Sequence, residues 1–367
     1  MADRGGAVEA VALNPSFWQG KRVLLTGHTG FKGGWLALWL QQWGAQVTGF
    51  SLPAVTGPSL FELARVAEGI DSRIGDLRDL PALLQVVEDC RPEVVLHLAA
   101  QPLVGEGYRD PVGTYASNVM GTLHLLEAVR RVGGVRACVV VTTDKVYANN
   151  EWPWPYRENE PLGGHDPYSS SKACCELLVQ SFAASYFPAS QHAAHGVAVA
   201  TARAGNVLGG GDFAPDRLVP DILKAWSGGE PVTLRYPEAV RPWQHVLDPL
   251  AGYLLLAQGL HEQGMPLAGA WNFGPTESGC STVGELVGQL ASLWPEAPGL
   301  VVEPAQMHEA GLLRLDSSRA RQLLGWRSRW SLQQCLEQTL AWHCHWREGA
   351  DMRATCLAQL ADYWRCP

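Results

Sequence analysis

The chain has 367 residues, 47% hydrophobic and 17% charged, a composition that excludes extensive disorder and allows a sizeable core. A formal net charge of −8 without a long basic run excludes nucleic acid as a bulk partner, while leaving room for a local basic pocket around a phosphorylated ligand. No run of about 18 apolar residues occurs, so no membrane-spanning helix is expected.

The stretch to Asn14 carries Asp3, Arg4 and Glu9 and lacks the basic-then-apolar design of a secretion signal. A soluble, cytoplasmic protein is therefore expected. From Lys21 to Val141 short apolar runs alternate with longer amphipathic stretches. Strands are predicted at 22–26, 46–50, 94–98 and 137–142, with helices at 33–43, 81–90 and 114–131. Near-continuous apolar strands separated by helices imply a parallel sheet covered on both faces. A helix at 171–186 and a strand at 197–202 extend the scheme.

Beyond Asn206 the texture changes. Gly209-Gly210-Gly211-Asp212, Pro215, Pro220 and Pro231 punctuate short elements. Helices are predicted at 252–260, 285–293 and 332–346, and a strand at 270–273. Trp342 and Trp346, two of 15 tryptophans, share one helical face and read as a core or subunit-contact stripe. The nine cysteines are odd in number and include no Cys-x-x-Cys pair, which suits a reduced compartment. His343-Cys344-His345 lacks a second ligand pair, so no metal site is expected.

The loop Gly27-His28-Thr29-Gly30-Phe31-Lys32-Gly33 follows the first strand and opens the first helix. Its glycines allow a tight turn, close approach to a pyrophosphate, and packing of the helix on the strand, with the helix N-terminus facing the anion. The fold class expected is α/β: a Rossmann-type doubly wound parallel sheet over residues 17–206. A smaller mixed α/β substrate lobe occupies 207–367, with some chain returning to the first domain.

The second strand ends without an acidic residue for the adenosine ribose, and His28 and Lys32 are instead placed to approach a phosphate. NAD is the expected cofactor, with NADP left open. Asp76, before Leu77, is either an acceptor for the adenine amino group or a solvated loop aspartate. After the fourth strand, Leu98-Ala99-Ala100-Gln101 lets the backbone come close to the cofactor, whereas His97 reads as a buried, satisfied histidine.

Tyr168 and Lys172 lie one turn apart on one helix face. A tyrosine is a poor base at neutral pH, but an adjacent ammonium and a positive nicotinamide favour tyrosinate. Tyr168 is then able to take the proton of a sugar hydroxyl, with Thr143 bonded to the same oxygen. Thr142 precedes Thr143 beside the cofactor. Asp144-Lys145 adds an acid and a base that a plain dehydrogenase does not need.

These motifs resemble the extended short-chain dehydrogenase/reductase superfamily, and within it the nucleotide-sugar 4,6-dehydratases, most of all those acting on CDP-glucose. The resemblance runs from about Phe17 to the last helices. It rests on the glycine loop, His97-Leu98-Ala99-Ala100-Gln101-Pro102-Leu103-Val104, Thr142-Thr143-Asp144-Lys145 and Gly163-Gly164-His165-Asp166-Pro167-Tyr168. Ala202-Arg203-Ala204-Gly205-Asn206-Val207 and Arg241-Pro242-Trp243-Gln244-His245-Val246 complete it. Asp-Lys after threonine is the telling pair, since related dehydratases carry Asp-Glu there.

The resemblance implies oxidation of C4 with Tyr168, removal of the C5 proton by Lys145, protonation of the departing C6 hydroxyl by Asp144, and reduction at C6. It also implies a homodimer, and substrate contacts from Asn206 and Arg241. Arg203 is a substrate candidate or a structural residue, and His245 lines the nucleoside pocket or packs. Asn118 supports the active-site backbone. The chain departs from the family at Gly105-Glu106-Gly107-Tyr108, where basic residues usually precede a Ser-Tyr pair. The loop is expected to lose positive charge and gain flexibility near the substrate mouth.

Overall fold

The computed structural model describes residues 11–276, 279–303 and 311–366; Asp3, Arg4 and Glu9 of the N-terminal reading lie outside them. The apolar runs become strands β1 (Arg22–Thr26), β2 (Gln46–Ser51), β3 (Asp71–Ile74), β4 (Val94–His97), β5 (Ala137–Val141) and β6 (Ala198–Ala204). With the strand Gly269–Phe273 they form a seven-stranded sheet in the order Gly269–Phe273, β6, β5, β4, β1, β2, β3. Every pairing in it is parallel. The strand order reverses between β1 and β4, so the crevice at their carboxyl ends is where a doubly wound sheet binds its ligand.

The helix Phe31–Gln42 is buried along Gly33 to Leu40. A helix apolar all round must be covered on every side, and here the sheet covers one side and the C-terminal helix Met352–Arg365 the other, itself backed by helix Leu332–Arg347. Trp39 meets the ring of Tyr363 at 5.6 Å and Trp43 meets Trp364 at 5.3 Å. Trp342 is buried and Trp346 packs edge-on to Phe213 at 4.9 Å, so the tryptophan stripe serves the core. His343 is also enclosed, with its Nε2 2.9 Å from the Ser227 hydroxyl.

Helix Leu247–Gln263 is buried from Leu247 to Leu260 and leads to Gly269–Phe273, which pairs with β6. The chain after residue 206 thus contributes to the main sheet as well as to the smaller lobe. That lobe holds three two-stranded ribbons and the helices Leu218–Ser227 and Val283–Leu293. The predicted helix at 114–131 is in fact three pieces, Pro111–Tyr115, a π-helical turn Ala116–Met120, and Gly121–Val132. Among the described residues no helix is long and apolar enough to cross a membrane.

Trp39 is almost fully enclosed between sheet and C-terminal helices. Trp39→Ala is expected to cost about 3–5 kcal/mol of stability, read as a fall in the midpoint of thermal unfolding, while far-UV circular dichroism at 20 °C (roughly room temperature) stays unchanged.

Candidate active site

The glycine loop brings β1 against the end of β4. Gly27 has φ +80°, and a Cβ there would lie 2.7 Å from the Ala99 nitrogen. A Cβ on Gly33 would collide with the Gly27 carbonyl. Gly30 caps helix Phe31–Gln42 with no side-chain hydrogen bond, leaving the first amides of the helix open to an anion. The cradle fits the pyrophosphate of a dinucleotide.

Around it, Thr29 donates to the Leu52 carbonyl at 2.8 Å. Leu98, Ala99 and Ala100 are half-buried and line the crossing. Gln101 is fixed on both sides of its backbone by buried Asn118, whose Oδ1 accepts from the Gln101 amide (2.8 Å) and whose Nδ2 donates to its carbonyl (3.1 Å). His97 is satisfied by Thr26 and Thr122 at 2.7 and 3.1 Å, and burial lowers its pKa to about 3. Leu77 is buried. Both carboxylate oxygens of Asp76 are held by Arg78, which keeps that carboxyl below its ordinary value.

Two readings of this loop need separating. The His28 ring does not approach a phosphate: it is buried beneath Gly49, where a Cβ would stand 2.5 Å from it, and its Nε2 is 2.8 Å from the Ser72 hydroxyl. Desolvation lowers its pKa to about 4, so it carries no charge to offer an anion at neutral pH. Lys32, by contrast, faces the site. Burial, with Arg217 and Lys172 nearby, lowers its pKa to about 8, and Asp144 partly offsets the fall.

At the end of β5 the chain turns through a short 3-10 segment, Asp144–Val146. Thr143 donates to Asp144 Oδ1 at 3.0 Å and lies beside the Tyr168 phenol. Asp144 is buried, its Oδ2 has no hydrogen-bond partner, and a Cβ on Gly205 would come within 3.1 Å of that oxygen. Desolvation raises its pKa, with Lys145, Thr143, Arg241 and Lys32 pulling the other way. Lys145 is half-buried beside it.

Helix Pro167–Tyr186 starts at the Asp166 cap and brings Tyr168 and Lys172 to the same place. Lys172 donates to the Val141 carbonyl at 3.1 Å, and burial lowers its pKa. The expected tyrosinate is not favoured by the protein alone. Burial pushes the Tyr168 phenol up to about 12, against a smaller downward pull from Thr143 and Arg217. A base at this position depends on the positive charge of a bound nicotinamide.

Among the substrate candidates, Arg241 is buried within electrostatic reach of Asp144. Asn206 follows Gly205 at the carboxyl end of β6 and is half-buried. Arg203 is structural: it forms a buried ion pair with Glu176 at 2.8 Å, and its other nitrogen donates to Tyr147 at 2.8 Å. The Thr142 side chain also turns inward, donating to Glu176 at 2.5 Å. His245 packs between Trp35 and Trp330, at 6.4 and 4.6 Å, and burial lowers its pKa to about 3. It does not line a pocket.

The Gly105-Glu106-Gly107 departure is ordered, within helix Val104–Arg109. Gly107 is buried there, and a Cβ on it would sit 3.1 Å from the Tyr168 amide nitrogen. Absence of a side chain lets this helix seat against the catalytic one, so the expected flexibility is corrected.

Sequence reasoning missed Arg217, which is held by Asp212 at 2.8 Å and reaches both Tyr168 and Lys32. It also missed Tyr253, a fully buried phenol with an unpartnered hydroxyl near Tyr168 and Asp144. No motif marks either one, because loop and helix meet the site only in three dimensions.

The raised pKa of Asp144 gives a signed expectation. A carboxyl whose folded pKa lies above its unfolded value binds a proton on folding, so its contribution to stability falls as pH rises through that window. Asp144→Asn is expected to raise the midpoint of unfolding at pH 8, with a smaller gain at pH 4, while lowering kcat by about 10²–10⁴. Thermal scans at the two pH values, with kinetics on the same samples, check both halves.

Residues 24–339 match the model of the GDP-mannose 4,6 dehydratase family. The chain is 48% identical over 352 residues to the CDP-glucose 4,6-dehydratase of Salmonella typhimurium, covering 96% of this chain and 98% of that one. It is 27% identical over 338 residues to a dTDP-glucose 4,6-dehydratase of Xanthomonas campestris, covering 87% and 92%. Among solved structures it resembles a UDP-glucose-4-epimerase of Stenotrophomonas maltophila with bound NAD, at 25% identity and a TM-score of 0.79 over 90% of this chain and 100% of that one. Family match, near full-length similarity and a shared parallel-sheet architecture agree: the chain belongs to the GDP-mannose 4,6 dehydratase family.

Proposed function

We propose that this protein is an NAD-dependent hydro-lyase that converts CDP-D-glucose to CDP-4-keto-6-deoxy-D-glucose and water. The observation that carries the reading is Asp144, buried, raised in pKa and with one oxygen unpartnered, beside the Thr143–Tyr168 pair. The near full-length similarity to a CDP-glucose 4,6-dehydratase supplies the nucleotide.

Thr143 and Tyr168 hold the C4 hydroxyl, and Tyr168 takes its proton as the carbon is oxidised. Lys172 fixes the end of β5 through the Val141 carbonyl and contributes positive charge beside the cofactor. NAD held on the Gly27–Gly33 loop would supply the oxidant for C4 and, once reduced, the hydride for C6. The C4 ketone acidifies C5–H, and Lys145 accepts that proton. Asp144 gives its proton to the departing C6 hydroxyl, which leaves as water. Lys145 returns its proton to C5 as hydride is delivered to C6, and the proton taken up by Tyr168 makes good the one lost by Asp144, so the site ends as it began. Arg241, Asn206, Lys32 and Arg217 are the candidates for the substrate's diphosphate, since arginine forks and ammonium groups suit phosphate oxygens.

An epimerase would share the fold and the Tyr168 chemistry. It would have no use for an acid kept protonated next to C6, so Asp144 favours elimination. We further infer a homodimer built on helices Gly121–Val132 and Pro167–Tyr186. Met120 at the start of the first and Leu177 and Tyr186 on the second are exposed apolar side chains, 44%, 53% and 51% accessible. A reduced, cytoplasmic setting suits nine cysteines that are odd in number and include no Cys-x-x-Cys pair.

Incubation of the purified protein with CDP-glucose and NAD is expected to yield a product lighter by one water. Tyr168→Phe abolishes it, and Lys145→Ala lowers kcat by about 100-fold or more. A C4 epimer of unchanged mass, or no product, contradicts the reading.

A further inference from the structure

Tyr168, Lys172 and Glu176 are spaced four and four along helix Pro167–Tyr186, hence on one face. The first two are in the catalytic machinery, but Glu176 lies deeper, buried beneath the sheet end. Its carboxylate accepts four hydrogen bonds. Oε1 takes Thr142 Oγ1 at 2.5 Å and Arg203 Nε at 3.0 Å, while Oε2 takes Thr201 Oγ1 at 2.6 Å and an Arg203 terminal nitrogen at 2.8 Å.

The other terminal nitrogen of Arg203 donates to Tyr147 Oη at 2.8 Å and to the Glu158 carbonyl at 3.0 Å. Tyr147 Oη donates in turn to Asn272 Oδ1, 2.7 Å away on strand Gly269–Phe273. Thr142 immediately precedes Thr143-Asp144-Lys145, and Tyr147 follows two residues after it. A single buried fork therefore grips the acid/base segment at both ends and joins it to the helix bearing Tyr168 and Lys172.

We propose that Glu176 and Arg203 are positioning residues that set the distance between the Asp144-Lys145 pair and the Tyr168 hydroxyl. The inference rests on the dehydratase reading above. Elimination across C5–C6 needs Asp144 and Lys145 held on the same sugar that Tyr168 has oriented at C4. The two groups arrive on different elements, and a displacement of about 1 Å is enough to cost about 100-fold in rate. A buried bidentate fork with every carboxylate lone pair used is rigid enough to fix such a distance.

Removing either partner of the ion pair strands the other's buried charge and endangers folding, so the test uses its two tethers. Thr142→Val and Tyr147→Phe each delete one hydroxyl with little change of shape. Both variants are expected to unfold within a few degrees of wild type. Each is expected to lower kcat by about tenfold or more, with KM for CDP-glucose within about threefold.

Because the loss falls on elimination, the deuterium isotope effect on kcat from C5-labelled substrate is expected to grow relative to that from C4-labelled substrate. Folded variants with wild-type kcat and wild-type isotope effects would overturn the proposal. Wild-type protein that fails to dehydrate CDP-glucose would instead overturn the functional reading on which it rests.

Discussion

Desolvation at the carboxyl ends of the central strands is the constraint on which the rest of the site depends. Burial is the leading cause of the raised pKa of Asp144 and Tyr168 and of the lowered pKa of Lys32 and Lys172. Acids are pushed up and bases down, so each group is biased toward its neutral form. In water Asp144 would have no proton to give near pH 7. Inside the sheet crevice desolvation shifts it toward the protonated form, and its Oδ2 has no hydrogen-bond partner. The Glu176–Arg203 pair is the opposite solution to the same problem, with buried charge answered by direct hydrogen bonds on all sides.

That burial is a product of the fold. A doubly wound sheet leaves its crevice where strand order reverses, between β1 and β4. Gly27 and Gly33 let the first helix sit close enough to close one side of it. From the second half of the chain, helix Leu247–Gln263 packs on the sheet and brings Tyr253 within electrostatic reach of Tyr168 and Asp144, and strand Gly269–Phe273, paired with β6, brings Asn272 to Tyr147. The C-terminal helices then cover the tryptophans of helix Phe31–Gln42 and keep water from its outer face.

Much of this was legible in the residues because the chain states it locally. Strands β1, β4 and β5 are apolar runs, Thr143-Asp144-Lys145 follows the last of them, and Tyr168 and Lys172 share one face of helix Pro167–Tyr186. Strand β3 was missed because Asp71-Ser72-Arg73-Ile74 is polar and lies at the sheet edge, where one side needs no cover. The sequence leaves Arg203 and His245 open between a ligand and a structural role, because arginine and histidine in a motif carry no sign of where they point. Their actual neighbours, Glu176 for one and Trp35 and Trp330 for the other, are set by tertiary packing. Arg217 was hidden for the same reason, in a loop with no pattern. Glu176 was within reach, as the third step of the spacing that had already singled out Tyr168 and Lys172.

In the proposed reaction one buried site both oxidises C4 and expels the C6 hydroxyl of the same sugar. The most direct measurement is the fate of a label: CDP-glucose carrying deuterium at C4, turned over in ordinary water. The account predicts that the deuterium reappears at C6 of the 4-keto-6-deoxy product, within the same molecule when labelled and unlabelled substrates are mixed. Deuterium retained at C4, or scrambled between molecules, would contradict it.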